Sequence, residues 1–519
     1  MLLLAGCNLA APAPDALTPV ATVPNVRIAS VDTPAPQPTT LRLVQAVETP
    51  AATATPAATT APTSAACVPQ PERRPRHTVT ATLDYAAKTA TVTQQIDYPN
   101  TSGARLLELV LNVEAHRWDN AFALQTARLG TEDVTATLQG NRMIVPLPQP
   151  LEPDCAAVLT LDFTVRPPRV GSGLAAFRGF FGYGERQMNL AYWLPVVAPI
   201  VGTEWLIREP DSIGEQAVLA MADWDVTLTV DNASGDLKIA APADEIEQLA
   251  PNRWRYQFYQ ARDFAISLSE VFRVQSVTTP GGVVVEMYSF PDAIRPNAVG
   301  QTDSALFALQ EAARALQQYS DLFGPYPHRR MVIVQGDFPD GMEFSGLVFV
   351  STNWFYQYEG GVRNFLTVIT VHEVSHQWWY ARVGNDPALA PWLDEALATY
   401  SEYIYYEEYY PELKNWWWDF RVGWYNPTGS VDSTVYEFDN VRDYINAVYL
   451  RGVQMLHNIR EDVGTEAFFR LLADYARAGS GQIATPALFW SLLTPEQFAA
   501  TRDTRGQFLS QPEIFSGSP

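Results

Sequence analysis

The spacing His372-Glu373-Val374-Ser375-His376, followed after eighteen intervening residues by Glu395, restricts the folds open to this chain more than any other feature. Residues four apart on an α-helix lie one above the other, so His372 and His376 present both imidazoles to one side, with Glu373 beside them. The surrounding pattern supports a helix. Leu366, Ile369, Glu373 and Gln377 mark one face, Phe365, Val368, His372, His376 and Trp379 the other, and Gly384-Asn385-Asp386-Pro387 is expected to end it. Pro391 suits the first turn of a second helix, where its missing N–H would be unpaired anyway, and that helix is expected to reach Pro411. Two helices joined by so short a turn return Glu395 to the histidines.

Charge accounting explains these residue types. Two neutral imidazoles and one carboxylate leave a zinc ion with a net charge of about +1 and an open position, where water ionises near pH ~7. His372, His376 and Glu395 are therefore the expected ligands of one Zn2+ per chain. Glu373, which is not needed as a ligand, is the expected catalytic base. The bland alternative is a pair of buried histidines on an amphipathic helix, yet the chain holds only six His, so a chance match is improbable.

Outside this core the composition changes abruptly. Residues 1–75 hold 13 of the 39 Pro, and the first of the Phe, Trp and Tyr residues is Tyr85. Such a stretch buries too little apolar surface to offset its ordering entropy, so residues 1–76 read as a disordered Pro/Ala/Thr-rich linker. Leu4-Ala5-Gly6-Cys7 resembles a bacterial lipobox, which implies lipidation at Cys7 and an extracytoplasmic, membrane-anchored protein. A true start at Met1 would leave only six residues before Cys7, and then the chain would be cytoplasmic.

Cys67 and Cys155 remain as either a single disulfide or two buried thiols. The longest apolar run, residues 190–202, falls short of the ~20 residues needed to span a bilayer, so lipid is the only expected link to a membrane. A net charge of −22 repels phosphate backbones, which argues against nucleic acid as a partner. The basic cluster Arg73-Arg74-Pro75-Arg76 reads as a solvated linker patch.

Alternation in Val79, Ala81 and Leu83, in Val92, Gln94 and Ile96, and in Trp224, Val226, Leu228 and Val230 predicts a mostly antiparallel β-sandwich or saddle over residues 77–277. Buried strands are expected at 283–287 and 331–334, separated by an amphipathic helix over 303–319 carrying Leu306, Leu309, Ala313 and Leu316. Helices dominate residues 364–493. The reading is thus multidomain: a β domain, then an α/β metal domain over 278–497, then a tail over 498–519.

The two metal segments, with His376-Gln377-Trp378 and Trp392-Leu393-Asp394-Glu395, resemble the aminopeptidase N family of gluzincins, in a short form lacking the large C-terminal helical domain. That resemblance implies a thermolysin-like catalytic domain and peptide substrates with a free N-terminus. Gly341-Met342-Glu343-Phe344 resembles the family's Gly-x-Met-Glu-Asn strand, implying that Gly341 and Met342 line the substrate and that Glu343 pairs with its α-amino group. Phe344 departs from the family's Asn. Val448-Tyr449-Leu450-Arg451-Gly452 is similar to the family's Tyr-Glu-Lys-Gly segment, implying that Tyr449 donates to the oxyanion, and Asp263-Phe264-Ala265 resembles the end of its β domain.

Two rivals follow from the same residues. A thermolysin-like endopeptidase would share the zinc chemistry, but would have no counterpart of Glu343. A surface-tethered peptide-binding homologue without activity would keep the ligands and lose the chemistry. His116, His328 and His457 have no spaced partners, the aromatic run around Trp416-Trp417-Trp418 reads as helix packing, and Asp394 is expected to point away from the metal and complement the helix dipole. Oligomeric state is not legible.

Overall fold

The computed structural model describes residues 74–171, 178–297, 300–339 and 341–512. The expectations for Cys7, Cys67 and the linker up to residue 73 lie outside the described residues. Cys155 is disulfide-bonded to a partner that also lies outside them.

The β domain is built on an eight-stranded sheet whose centre pairs Ala222–Asp231, Arg76–Asp84, Thr89–Pro99 and Ala156–Val165. Val79, Ala81 and Leu83 point inward as their alternation predicted, together with Val92, Gln94 and Ile96. A four-stranded sheet containing Leu106–Asn112 and Arg142–Leu151 contributes Leu109, Leu111, Met143 and Val145 to the same core. The pairing is not uniformly antiparallel, because Arg76–Asp84 runs parallel to Ala222–Asp231. A parallel neighbour requires a long crossover, which strand alternation alone does not reveal. Arg76 is the first residue of its strand and Arg74 lies just before it; both are partly exposed and pair with Asp225 and Asp223 on the neighbouring strand instead of forming a free linker patch.

The next sheet has five strands in the order Arg273–Thr278, Val284–Ser289, Arg330–Gly336, Leu347–Ser351 and Met342–Phe344. Its first strand, read from sequence as the end of the β domain, is hydrogen-bonded to Val284–Ser289 and so belongs to the α/β domain. The edge strand Met342–Phe344 is antiparallel, and places Glu343 opposite Val348. Helix Ser304–Phe323 packs on this layer, capped by the Asp303 side chain and one turn longer than its apolar pattern suggested. Leu309 and Leu316 are buried, whereas Leu306 faces out.

Helices follow, as expected, and they continue into the segment read as a tail over 498–519. Pro495–Ala500 and Arg502–Phe508 are helical, and Phe508 and Leu509 are buried. Each helix is too short to display a readable 3.6-residue period, which is why this segment looked like a tail. Among the described residues, no helix is long and apolar enough to cross a membrane.

Candidate metal centre and active site

The motif helix Phe365–Ser375 begins at Asn364, whose side chain accepts from the Thr367 N–H, and all its residues after Phe365 are buried. Its α-helical winding closes at His376 instead of running to Gly384, and continues as a wider π turn over Gln377–Arg382. The ligand helix Trp392–Tyr409 starts after Pro391 and packs alongside it. His372 Nε2 lies 3.3 Å from Glu395 Oε2, and His376 Nε2 lies 3.7 Å from the same oxygen. Donors around a tetrahedral zinc with bonds of about 2.0–2.1 Å lie about 3.4 Å from one another, so the separations match a shared ion. One donor atom from each of the three residues falls within 4.8 Å of the others.

The remaining ring nitrogens are held by partners that the sequence reading missed. His372 Nδ1 donates to Glu402 Oε1 at 2.8 Å, and His376 Nδ1 donates to Asp394 Oδ1 at 2.6 Å, with the Trp379 carbonyl at 3.0 Å. Asp394 therefore points at His376 and not merely at the helix end. Both interactions leave Nε2 to face the common centre and strengthen the imidazoles as donors. Glu402 also accepts from Arg421 at 2.9 and 3.0 Å and from the Trp417 indole at 3.3 Å. One residue of the aromatic run thus reaches the carboxylate that holds His372. A signal for Glu402 existed: seven residues beyond Glu395 is nearly two turns, which puts both carboxylates on the face toward the motif helix.

Glu343 and Glu373 share the chamber, with a carboxylate oxygen of each and a His376 nitrogen mutually within 4.8 Å. Burial pushes Glu343 up to about 7, against the pull of His376, and pushes Glu373 well above the ordinary carboxylate range. Glu373 Oε2 has no hydrogen-bond partner, although it is buried. Burial also opposes ionisation of Glu395, but hydrogen bonding to His372 and the nearby His376 outweigh it and hold this carboxyl low. An ionised oxygen is what a metal ligand requires.

Gly341 lies against Glu373, so that a Cβ there would overlap the Glu373 carboxylate unless that side chain moved. Met342 is buried beside it. Phe344, in the place of the family's Asn, is fully buried and packs against Tyr192 at 5.0 Å and Phe180 at 5.9 Å, so the change fills a core instead of facing the chamber. Tyr449 lies in a π-helical stretch, Ile445–Leu450, with its ring 6.2 Å from that of His372 and nearly parallel to it. Its hydroxyl hydrogen-bonds toward Glu395. His116, His328 and His457 lie elsewhere: His328 bonds to Asp244, His116 to the Gly140 carbonyl and His457 to Tyr400.

A β domain followed by a thermolysin-like α/β domain, with two histidines of one helix and a glutamate of the next converging, is the architecture that the gluzincin resemblance implies. Residues 307–504 match the family model described as the peptidase family M1 domain. The match covers 198 of the chain's 519 residues, so the likeness to that family lies in the part that follows the β domain. It is 27% identical to Aminopeptidase M1-B of Oryza sativa subsp. japonica over 220 residues, which is 40% of this chain and 25% of that protein. It is 28% identical to Endoplasmic reticulum aminopeptidase 1 of Mus musculus over 219 residues, 39% of this chain and 23% of that one. The matched region therefore spans only about a quarter of these relatives' length.

Among solved structures, the M1 zinc metallopeptidase from Deinococcus radiodurans superposes with a TM-score of 0.57 at 18% identity, covering 86% of this chain and 97% of that one. A mutant of it bound to a Tyr-Ser-Ala substrate gives a TM-score of 0.59, with 84% and 95% covered. At such identity the likeness concerns the fold, and it extends over both folded domains.

Proposed function

We propose that this chain is a zinc-dependent aminopeptidase that hydrolyses the N-terminal peptide bond of peptides with a free α-amino group. The observation that carries the reading is Glu343, a buried carboxylate set beside both Glu373 and His376. Its pairing with an ammonium at this depth would fix the substrate's N-terminus one residue from the metal centre, so that cleavage removes a single residue. An endopeptidase has no use for such a carboxylate at that place.

His372, His376 and Glu395 would hold the zinc, which when bound supplies Lewis acidity toward the scissile carbonyl and acidity to its water. Glu373 accepts a proton from the attacking water on its otherwise unpartnered oxygen and returns it to the leaving amine. Tyr449 directs its hydroxyl to the Glu395 side of the chamber, where it donates to the oxygen that gains charge as the carbonyl becomes tetrahedral. Glu402 and Asp394 orient the two imidazoles throughout.

The test is hydrolysis of paired peptides with free and Nα-acetylated termini, alongside zinc content. Rapid loss of one residue from the free peptide and little cleavage of the acetylated one are expected. Equal cleavage of the two would reject Glu343 as amine anchor and favour an endopeptidase, while activity indifferent to Glu373→Gln would reject the metallopeptidase reading.

For location, we infer an extracytoplasmic protein anchored through lipid on Cys7. The Leu4-Ala5-Gly6-Cys7 string and the aromatic-free linker support this, as does the disulfide at Cys155, a bond that persists mainly in oxidising compartments. Membrane-fraction protein that loses its lipid label in Cys7→Ser is the expected result. Unchanged partitioning of that variant would refute the anchor.

A further inference from the structure

One dipeptide at the end of the β domain grips both walls of the chamber. Arg262 and Asp263 are buried. The Arg262 guanidinium donates from Nε to the Tyr380 carbonyl at 2.6 Å, from Nη1 to Leu219 O at 2.7 Å and from Nη2 to Gln482 O at 2.9 Å. Tyr380 sits in the π turn after the motif helix, next to Trp379, whose carbonyl accepts from His376 Nδ1. On that side the dipeptide fixes the backbone behind a metal ligand.

Asp263 faces the other way as well. Its Oδ2 accepts from the Tyr380 hydroxyl at 2.5 Å, and its carboxylate accepts from the Ser345 N–H at 3.2 and 3.3 Å and from the Ser345 hydroxyl at 3.3 Å. The Arg262 N–H donates to the Ser345 hydroxyl at 3.0 Å. Ser345 is two residues after Glu343, in the two-residue turn that joins this edge strand to Leu347–Ser351, its only neighbouring strand. Gln377, the residue after His376, closes the loop: its amide donates to Phe344 O at 3.1 Å and accepts from the Gly346 N–H at 2.8 Å. The segment following Glu343 is therefore pinned at residues 344, 345 and 346 to the metal-ligand turn and to the β domain.

We propose that Asp263, seated by Arg262, is a positioning residue that sets the distance between the amine-anchoring Glu343 and the metal centre, so that the β domain completes the active site instead of merely adjoining it. An edge strand freed at Ser345 can shift by a fraction of an ångström while the motif helix and its ligands stay in place. The substrate amine, and with it the scissile carbonyl, then moves relative to Glu373. This inference rests on Glu343 binding the amine.

The experiment compares wild type, Asp263→Ala and Asp263→Asn for zinc content, thermal midpoint, kcat and KM on a free-amine reporter, and the ratio of kcat/KM for free over Nα-acetylated peptide. Asn keeps an acceptor for Tyr380 and Ser345. The expected result is a zinc-replete, folded Asp263→Ala whose KM rises and whose ratio falls roughly ten- to hundredfold, with partial recovery in Asp263→Asn. An unchanged ratio in folded Asp263→Ala overturns the proposal, even if stability or kcat falls. Should Asp263→Ala not fold, Tyr380→Phe and Ser345→Ala remove the donors one at a time and are read by the same ratio, an unchanged value in both being equally fatal. Loss of discrimination in the wild type itself would instead sink the amine-anchor reading.

Discussion

Glu402 accepts a hydrogen bond from His372 Nδ1 at 2.8 Å while paired to the buried Arg421 through three further bonds, so the imidazole proposed to hold the metal is tied to a buried ion pair. The arrangement fixes both the tautomer and the tilt of the imidazole, and burial keeps solvent from competing for the carboxylate. Glu402→Gln preserves shape but weakens the acceptor. It should reduce zinc affinity about 10–100-fold, measured by competition with a chromogenic chelator. Unaltered affinity would mean that the ring is held by packing alone.

Glu373 has a carboxylate oxygen with no partner, in contrast to Glu395, whose oxygen is engaged by both histidines. Glu373→Gln should therefore retain one zinc per chain while kcat falls by at least about a hundredfold. Loss of zinc in that variant would show that Glu373 holds the metal and does not act as the base.

How far these roles could be read from the residues depended on range. The His372, His376 and Glu395 set was legible because it is written in local helical spacing and one short connection. Asp394 was misjudged, because adjacency to Glu395 on a helix suggests a different direction, whereas its place in the first turn lets it meet His376 from the neighbouring helix. The role of Glu402 was encoded in its seven-residue offset from Glu395, but it needed the partner helix to have meaning. Arg262 and Asp263 act through carbonyls and amides of distant segments, and backbone partners leave no residue type in the sequence to signal them. The parallel pairing of Arg76–Asp84 with Ala222–Asp231 was hidden for the same reason, since strand alternation reports burial and not the neighbour.

Gly341 approaches Glu373 so closely that an added Cβ would overlap its carboxylate unless one of them shifts. In Gly341→Ala the methyl group must displace either the edge strand or the Glu373 carboxylate. Turnover should drop by at least about tenfold, since small misplacements of reacting groups are costly, with zinc content unchanged. A fully active Gly341→Ala enzyme would indicate that Glu373 moves before it reacts.

The C-terminal helices brace the segment that carries Tyr449. Arg451 donates to the Gln507 carbonyl at 2.7 Å and stacks over Phe508, with its guanidinium carbon 4.3 Å from the ring centroid, while Val431 N–H donates to Phe508 O at 2.9 Å. Phe508→Ala should cost roughly 3 kcal/mol of stability, as expected for a buried aromatic reduced to a methyl, in chemical denaturation. It should also lower kcat more than Tyr449-independent zinc binding. A purely local effect, with stability unchanged, would contradict this bracing.

His77 provides a pH dependence that is separate from the catalytic site. Its ring stacks on Trp224 with centroids 4.1 Å apart, and Nδ1 lies 2.9 Å from the Gln94 amide nitrogen, which also donates to the Pro195 carbonyl. An amide donating to Nδ1 requires that nitrogen to be unprotonated, and burial lowers the His77 pKa to about 3. Because the folded value lies below the unfolded one near 6.5, the unfolded chain binds more protons as acid is added. The contribution is complete above pH ~6.5 and is lost progressively as pH falls toward ~3. Between pH 7.5 and 4.5 this one ring should remove roughly 2–3 kcal/mol of stability. Urea unfolding of wild type and His77→Gln at both pH values checks it, since Gln accepts from Gln94 but takes up no proton. The variant should be less stable at pH 7.5 and lose less on acidification, whereas parallel losses would show that His77 is charged within the fold.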